Sequence, residues 1–202
     1  MLLIISIIMA IALHEFAHAY VADFQGDRLP RAMGRLSLNL ARHLDPLGTI
    51  CIILVGFGWG KPVEFRPSAL RSRQFGPAMV AIAGPLMNLF LAFLGALGLN
   101  FSGVDDLTFH PSSLSQSLAL FFILFSQINV LLAVFNLLPL PPLDGSRLLT
   151  IFLPPKRQNI IFFLDRYGFI ILLALVFLGG FTLLSPVIDS VQEWLLDVAG
   201  VF

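Results

Sequence analysis

Long apolar segments are the feature that most limits what this chain can fold into. Five of them occupy roughly residues 1–22, 46–59, 76–100, 115–138 and 159–184. Four are long enough to cross the hydrocarbon core of a bilayer as helices, which takes about 20 residues. Charged residues make up only 12% of the 202 residues, about half the roughly 25% found in soluble domains. The sequence therefore predicts an all-α polytopic membrane protein with about four full transmembrane helices.

The remaining apolar segment, 46–59, is too short to span a bilayer and becomes glycine-rich in its second half. We interpret residues 46–63 as a re-entrant or strand-like element that enters the membrane and returns to the same side. Irregular backbone of this kind is tolerated at membrane depth only where protein or a water-filled cavity covers it.

The charges of the loops agree with a returning segment. Basic side chains concentrate in the loops 23–45, 60–75 and 139–158. The 101–114 loop instead carries Asp105 and Asp106 and has no Lys or Arg. Because basic loops face the cytoplasm, a chain in which 46–59 returns to its own side keeps all three basic loops inside and its N-terminus outside. We expect a multi-pass protein of the cell membrane. The formal net charge of zero gives no reason to expect a nucleic-acid partner.

The tail 186–202 is predicted to form an amphipathic helix. Ser185 suits an N-cap and Pro186 suits a first-turn position. One face of this helix would carry Val187, Val191, Trp194, Leu195 and Val198. Such a helix is expected to lie on the outer surface of the membrane.

The sequence His14-Glu15-Phe16-Ala17-His18 lies inside the first apolar segment. Residues four apart share one face of a helix, so both imidazoles can reach one metal ion. The two histidines can fill two of the four positions around zinc, and Glu15 can act as general base toward a water molecule at the metal. Ionisable groups are costly in a membrane span and indicate function by default.

A hydrolytic zinc site needs a third protein ligand, with water in the fourth position. Asp144 is the first candidate, because it follows a span in the stretch 136–147, where three prolines forbid a continuous helix. Gly145 permits a tight turn beside the metal. His43 is the second candidate and Asp45 a weaker one, although a solvated or loop-capping role suits both better.

Other polar or small residues within the spans favour helix packing. Gly84, Pro85 and Asn88 indicate close packing and a kink, with Asn88 bonding a freed carbonyl. Asn129 and Asn136 lie seven residues apart and share one face of a span, which predicts that this face points into the bundle.

The paired motifs HisGluPheAlaHis (14–18) and AsnLeuLeuProLeuProProLeuAspGly (136–145) resemble the site-2 protease family of intramembrane zinc metalloproteases. Four further segments resemble its compact bacterial and archaeal branch: GlyArgLeuSerLeuAsn (34–39), HisLeuAspProLeuGlyThrIle (43–50), GlyTrpGlyLysProVal (58–63) and AlaGlyProLeuMetAsn (83–88). The resemblance covers about residues 11–150. Ser146 departs from a frequent glycine and Leu40 from a common proline. A single membrane-embedded protease domain over 1–202, without PDZ or CBS domains, is expected.

The resemblance implies one zinc ion bound by His14, His18 and Asp144, with Glu15 as the catalytic base. It also implies that Asn136 lies near the active site, where it would polarise the scissile carbonyl or bind substrate backbone; a helix–helix hydrogen bond is the alternative.

The resemblance also suggests that Gly58 and Gly60 belong to a segment that pairs with an extended transmembrane substrate. The implied activity is peptide hydrolysis in or near transmembrane segments, at a site open to the cytoplasmic side. A membrane metal-ion carrier that uses the same two histidines and aspartate is the alternative function.

Overall fold

The computed structural model describes residues 1–55, 58–104, 113–152 and 158–201. Within them lie the helices α1 (Leu2–Phe24), α2 (Leu29–Ala32), α3 (Pro46–Val55), α4 (Gly76–Ser102), α5 (Leu114–Asn136), α6 (Gly145–Phe152), α7 (Gln158–Phe177) and α8 (Gly180–Val198). The same residues contain no strand, only an isolated antiparallel bridge between Leu44 and Gly60. The predicted all-α class is confirmed. Asp105 and Asp106 of the predicted acidic loop lie outside the described residues.

Three of the described helices, α1, α4 and α5, are long and apolar enough to cross a membrane. They form the centre of the molecule, because α4 contacts both α1 and α5 and α1 also contacts α5. Alanines with no exposed surface lie on all three helices: Ala10, Ala19, Ala22, Ala81, Ala92, Ala96, Ala119 and Ala133. Small side chains let membrane helices approach closely. The fourth predicted span, 159–184, is divided between the 20-residue α7 and the start of α8, and the count of four spans is not confirmed.

The two ends of the segment 46–63 lie side by side, whereas its entry into the membrane stays a prediction. Its helical part, α3, has 10 residues, about half the length needed to cross a bilayer. The chain then comes back beside its starting point, where the N–H of Lys61 donates to the carbonyl of His43 at 2.7 Å. A side chain at Gly58 would strike the backbone of Gly48, so glycine is needed where the returning chain crosses α3.

The predicted start of the last helix at Ser185 and Pro186 is wrong. The helix break lies earlier, at Gly179, whose φ of 85° is left-handed, and α8 begins at Gly180 with Pro186 inside it. Proline lacks the N–H that would bond the carbonyl of Thr182 four residues back. The hydroxyl of Ser185 donates to that carbonyl instead, at 3.1 Å, which lets the helix continue through the proline.

The predicted apolar face of the tail is divided between the bundle and the outer surface of the molecule. Leu195 is buried, but Val187, Trp194 and Val198 are each more than half exposed. The buried stripe of α8 packs against α4 and α5, and it includes Gln192, whose side-chain amide donates to Ser126 of α5 at 3.0 Å. The helix is therefore part of the bundle, and the remaining apolar side chains face outward.

Buried aspartates hold the loops at the end of α1. Asp27 has no exposed surface and accepts hydrogen bonds from the backbone N–H groups of Leu29 and Arg66 and from the Arg66 guanidinium. Burial raises the pKa of Asp27, but these bonds outweigh burial and hold the pKa below its usual value. The loop that follows the re-entrant element is thereby fixed to the same end of α1.

Candidate metal centre

Two imidazoles of α1 point at one position. His14 and His18 are separated by one helical turn, and their Nε2 atoms lie 2.9 Å apart. Both residues are buried, with 7% and 6% of their surfaces exposed. The i, i+4 spacing therefore produces the convergence predicted for a metal-binding pair.

Asp144 reaches the same position from the loop between α5 and α6. Its Oδ2 lies 3.0 Å from Nε2 of His14 and 3.2 Å from Nε2 of His18. The turn that directs it is tight, since a side chain at Gly145 would strike the carbonyls of Leu137 and Leu138. Among the described residues, His14, His18 and Asp144 form the group of metal-ligating side chains that could hold one ion.

The protonation of the two rings makes this position suited to a cation. Nδ1 of His18 donates to the carbonyl of Val80 at 2.7 Å, and Nδ1 of His14 donates to Oδ1 of Asn88 at 2.6 Å. A neutral imidazole carries one N–H, so both Nε2 atoms present lone pairs. Three lone-pair atoms within 2.9–3.2 Å of one another repel unless a cation lies between them. Ligand atoms around tetrahedral zinc are about 3.3 Å apart, so these residues fit zinc.

Asn88 of α4, held by Asn129 of α5, fixes the ring of His14. The side-chain amide of Asn88 donates to Oδ1 of Asn129 at 2.8 Å and to the carbonyl of Ala10 at 3.3 Å. These bonds aim Oδ1 of Asn88 at His14, which is how metal-bound histidines are usually oriented. Gly84, one turn before Asn88 on α4, lies against the two histidines, and a side chain there would strike both rings.

Glu15 lies between the metal ligands and the loop that follows the re-entrant element. Its Oε2 accepts the backbone N–H of Val63 at 3.2 Å. Its carboxylate interacts electrostatically with His14 and Asp144. A backbone donor therefore holds one oxygen of this half-buried carboxylate beside the candidate metal ligands.

Comparison with known proteins decides the family. Residues 2–114 and 103–179 match the profile of Peptidase family M50. The chain belongs to this family. It is similar to "Putative zinc metalloprotease YwhC" of Bacillus subtilis (strain 168), with 39% identity over 201 residues that cover 97% of this chain and 90% of that protein. It is also similar to "Putative zinc metalloprotease Rip2" of Mycolicibacterium smegmatis, with 32% identity over 204 residues, 96% of this chain and 72% of that protein. No solved structure gives a significant match.

This M50 peptidase is therefore a zinc metalloprotease, and the resemblance to site-2 proteases is confirmed. Zinc as its cofactor agrees with the three ligand atoms that converge at His14, His18 and Asp144. Together with the apolar helices, the family makes it a multi-pass membrane protein.

Asn136 ends α5 of the M50 chain, and its side-chain amide donates to the carbonyl of Leu132 at 2.9 Å. This bond lies within its own helix, so it is not the helix–helix contact considered as an alternative. A role for Asn136 at the reacting carbonyl or on substrate backbone stays a prediction.

Gly58 and Gly60 both occupy positions without room for a side chain. At Gly60 a Cβ would strike Ile11 and crowd Glu15. Larger residues here would disturb the packing beside Glu15 whatever their effect on a substrate. The predicted contribution of the two glycines to substrate binding stays a prediction.

The two other ligand candidates lie elsewhere in the M50 chain. His43 is 1% exposed and donates from Nε2 to the carbonyl of Ser37 at 2.7 Å. Burial and the charge of Arg35 lower the pKa of His43, although the bond to Ser37 opposes them. Asp45 accepts the N–H of Gly48 at 2.9 Å and so caps α3, as the loop-capping interpretation predicts.

Sequence reasoning missed the groups that orient the site. It assigned Gly84 and Asn88 to packing, with Asn88 bonding a freed carbonyl of its own span. The carbonyl that Asn88 bonds belongs to Ala10 of α1, and its Oδ1 bonds His14. An asparagine within a span, four residues after a glycine, is the signal that could have indicated a partner of the histidine pair.

Proposed function

We propose that this zinc metalloprotease hydrolyses peptide bonds in or near transmembrane segments of other membrane proteins. The observation that supports this most is the place of the site: His14, Glu15 and His18 lie beyond the middle of the 23-residue apolar helix α1. At about 1.5 Å per residue, His14 is roughly 18 Å from the start of that helix, well inside a hydrocarbon core about 30 Å thick.

The roles of the residues follow from their chemistry. His14, His18 and Asp144 would hold zinc, which when bound acts as a Lewis acid that activates water for attack on a carbonyl. The Glu15 carboxylate takes a proton from the attacking water and delivers it to the leaving nitrogen. Asn88 keeps the proton of His14 on Nδ1, so that Nε2 stays available as a ligand.

A transmembrane substrate has to be unwound before its peptide bonds are accessible, and the segment 60–65 is suited to hold it extended. This segment has no helical backbone and lies beside Glu15, and Glu64 within it has an exposed side chain. Strand addition would give main-chain hydrogen bonds to the substrate without selecting its side chains.

Proline at position 64 tests this pairing. Glu64→Pro removes the backbone N–H of residue 64. It also restricts the preceding residue, Val63, to extended backbone. We expect KM for a transmembrane peptide to rise by up to about tenfold, the equivalent of one lost hydrogen bond. Glu64→Ala is the matched control and should keep the wild-type KM. Equal KM values for the two variants would exclude pairing through this amide.

We further propose that the site opens to the cytoplasmic side of the cell membrane. At the end of α1, the loops carry Arg28, Arg31, Arg66 and Arg71, and Arg71 lies over the ring of Phe24 at 5.4 Å. Helix α5 ends on the same side, before Asp144. Basic loops mark the cytoplasmic face, which supports this orientation.

Cleavage by wild type and Glu15→Gln tests the proposed activity. Purified protein in detergent is incubated with a transmembrane peptide, and zinc is measured in both proteins. We expect cleavage by wild type, a loss of at least about 10³-fold in Glu15→Gln because the general base is gone, and one zinc in each. A metal-ion carrier would instead move zinc into vesicles and show no cleavage with either protein.

A further inference from the structure

Arg35 is a buried cation with an unusual set of partners. It is 3% exposed, and its guanidinium donates to three backbone carbonyls: Arg42 at 2.7 Å, Lys61 at 3.2 Å and Pro62 at 3.4 Å. Within the described part of the chain, no carboxylate lies in ion-pair distance of it. A buried charge is costly unless it is paired, so a cation held only by carbonyls calls for a compensating interaction nearby.

The third of these carbonyls belongs to a peptide group that also contacts Glu15. The carbonyl of Pro62 and the N–H of Val63 are the two ends of one planar trans peptide group. The carbonyl end accepts from Arg35 at 3.4 Å, and the N–H end donates to Oε2 of Glu15 at 3.2 Å. One rigid group therefore joins the guanidinium to the carboxylate, and the two charges interact electrostatically.

Other contacts anchor the segment on both sides of this peptide group but do not bind its carbonyl. Gly60 is fixed by its bridge to Leu44, and Arg66 is fixed by Asp27. Between these two anchors, the Arg35 guanidinium is the side-chain donor on the carbonyls of residues 61 and 62. The planar fork places two nitrogens at separate positions, and one of them donates to the carbonyl of Lys61 while the other donates to the carbonyl of Pro62.

We propose that Arg35 is a positioning residue, which orients the Glu15 carboxylate through the Pro62–Val63 peptide group. This inference rests on the proposed function, in which Glu15 acts as the base. The guanidinium fixes the plane of the peptide, the N–H of Val63 then holds Oε2, and Oε1 is left directed toward the metal position. The GlyArgLeuSerLeuAsn motif thereby acquires a role in the reaction, although it touches neither metal ligand nor substrate.

The test compares Arg35→Gln with Arg42→Gln. Arg42 belongs to the same loop, has an exposed side chain and also donates to a backbone carbonyl, that of Gly34 at 3.2 Å, so it is a matched control. Zinc content, hydrogen exchange of the amides in 61–66, and kcat and KM for a transmembrane peptide are measured for each protein.

We expect Arg35→Gln to keep its zinc, to exchange the Val63 amide about tenfold faster and to lose about tenfold in kcat, with KM within about twofold of wild type. Arg35→Lys should not restore kcat, because its single ammonium nitrogen cannot occupy both of the positions from which the two guanidinium nitrogens donate. Arg42→Gln should match wild type. Wild-type exchange and kcat in Arg35→Gln, or the same losses in Arg42→Gln, would overturn the inference.

A backbone substitution keeps the inference testable even if Arg35→Gln fails to fold. Replacing Val63 by the corresponding α-hydroxy acid removes its N–H and leaves Arg35 in place. We expect the same loss of kcat as in Arg35→Gln, and a wild-type kcat would refute the proposed contact. If zinc-loaded wild type cleaves nothing, the proposed function fails, whereas the exchange of the Val63 amide still reports whether Arg35 holds the segment.

Discussion

A single side-chain amide joins three helices at the metal centre. Asn88 of α4 accepts from His14 of α1, and it donates to Ala10 of α1 and to Asn129 of α5. It has no exposed surface, so each of these bonds is made away from water. An interior amide with all its partners satisfied fixes its neighbours in one arrangement.

Loss of this amide should weaken metal binding more than it weakens the fold. We expect Asn88→Ala to raise the Kd for zinc about 10- to 100-fold, because the proton and orientation of His14 are no longer set. A competition titration with a chromophoric chelator measures this. Asn100→Ala is the control, since Asn100 also lies on α4 and donates to Ala199 at 3.0 Å, far along the helix. A wild-type Kd in Asn88→Ala would contradict the role assigned to it.

At this scale the sequence predicts ligands better than it predicts the groups that orient them. His14 and His18 follow from spacing, and Asp144 follows from a proline-broken stretch past a span. The partner of His14, in contrast, lies 74 residues away in the chain. The donor to Glu15 is a backbone N–H, which every residue except proline possesses, so no residue type marks it.

At the scale of elements, hydropathy alone predicts α1, α4 and α5. Each is a long and predominantly apolar run, and an isolated segment of this kind satisfies its backbone in lipid only as a helix. The division of residues 159–184 between α7 and α8 could not be predicted this way, because apolar side chains lie on both sides of Gly179. Pro186 suggested a helix start, since nothing in the sequence indicates that Ser185 takes over the bond to the carbonyl of Thr182.

The hydrogen bonds that Asp27 accepts from Leu29 and Arg66 form a clamp at the end of α1. This clamp makes an acid-sensitive contribution to stability. The pKa of Asp27 is lower in the folded chain than its value of about 3.9 in an unfolded one. Its contribution is therefore complete above about pH 4 and is lost as the pH falls through the folded value. We expect Asp27→Asn to lower the free energy of unfolding at pH 7 by about 3 kcal/mol. The NH2 group of the asparagine would face N–H donors that the carboxylate of Asp27 accepts from.

Thermal unfolding in detergent at pH 7 and below pH 4 measures this effect. The difference between wild type and Asp27→Asn should shrink in the acidic range. Asp189→Asn, at an exposed position of α8, should behave as wild type at both pH values. A difference that stays constant between the two pH values would show that the clamp does not depend on the charge of Asp27.

At the scale of the whole molecule, the proposed zinc ligands come from parts of the chain that are far apart in sequence. Two ligands belong to α1, and Asp144 lies 130 residues after His14. A ligand that binds only the folded state stabilises that state, by about 4 kcal/mol at a concentration 1,000 times its Kd. The metal should therefore hold the α5–α6 loop against α1 as well as serve the reaction.

Removal of zinc should lower the melting temperature, and its return should restore it. Glu15→Gln should show the same zinc-dependent shift as wild type, because Glu15 is not a ligand. Asp144→Ala should show little or none. Differential scanning fluorimetry with and without a chelator distinguishes these outcomes. An equal shift in Asp144→Ala and wild type would mean that the aspartate does not bind the metal.

The distance along the chain between the histidine pair and Asp144 also affects biogenesis. A ribosome completes the first two ligands early and the third only after α4 and α5 have been synthesised. Until then the nascent polypeptide lacks a closed set of ligands. If the proposed ligand set is right, hydrolysis is expected to begin only after the central bundle has assembled and Asp144 has joined the histidine pair.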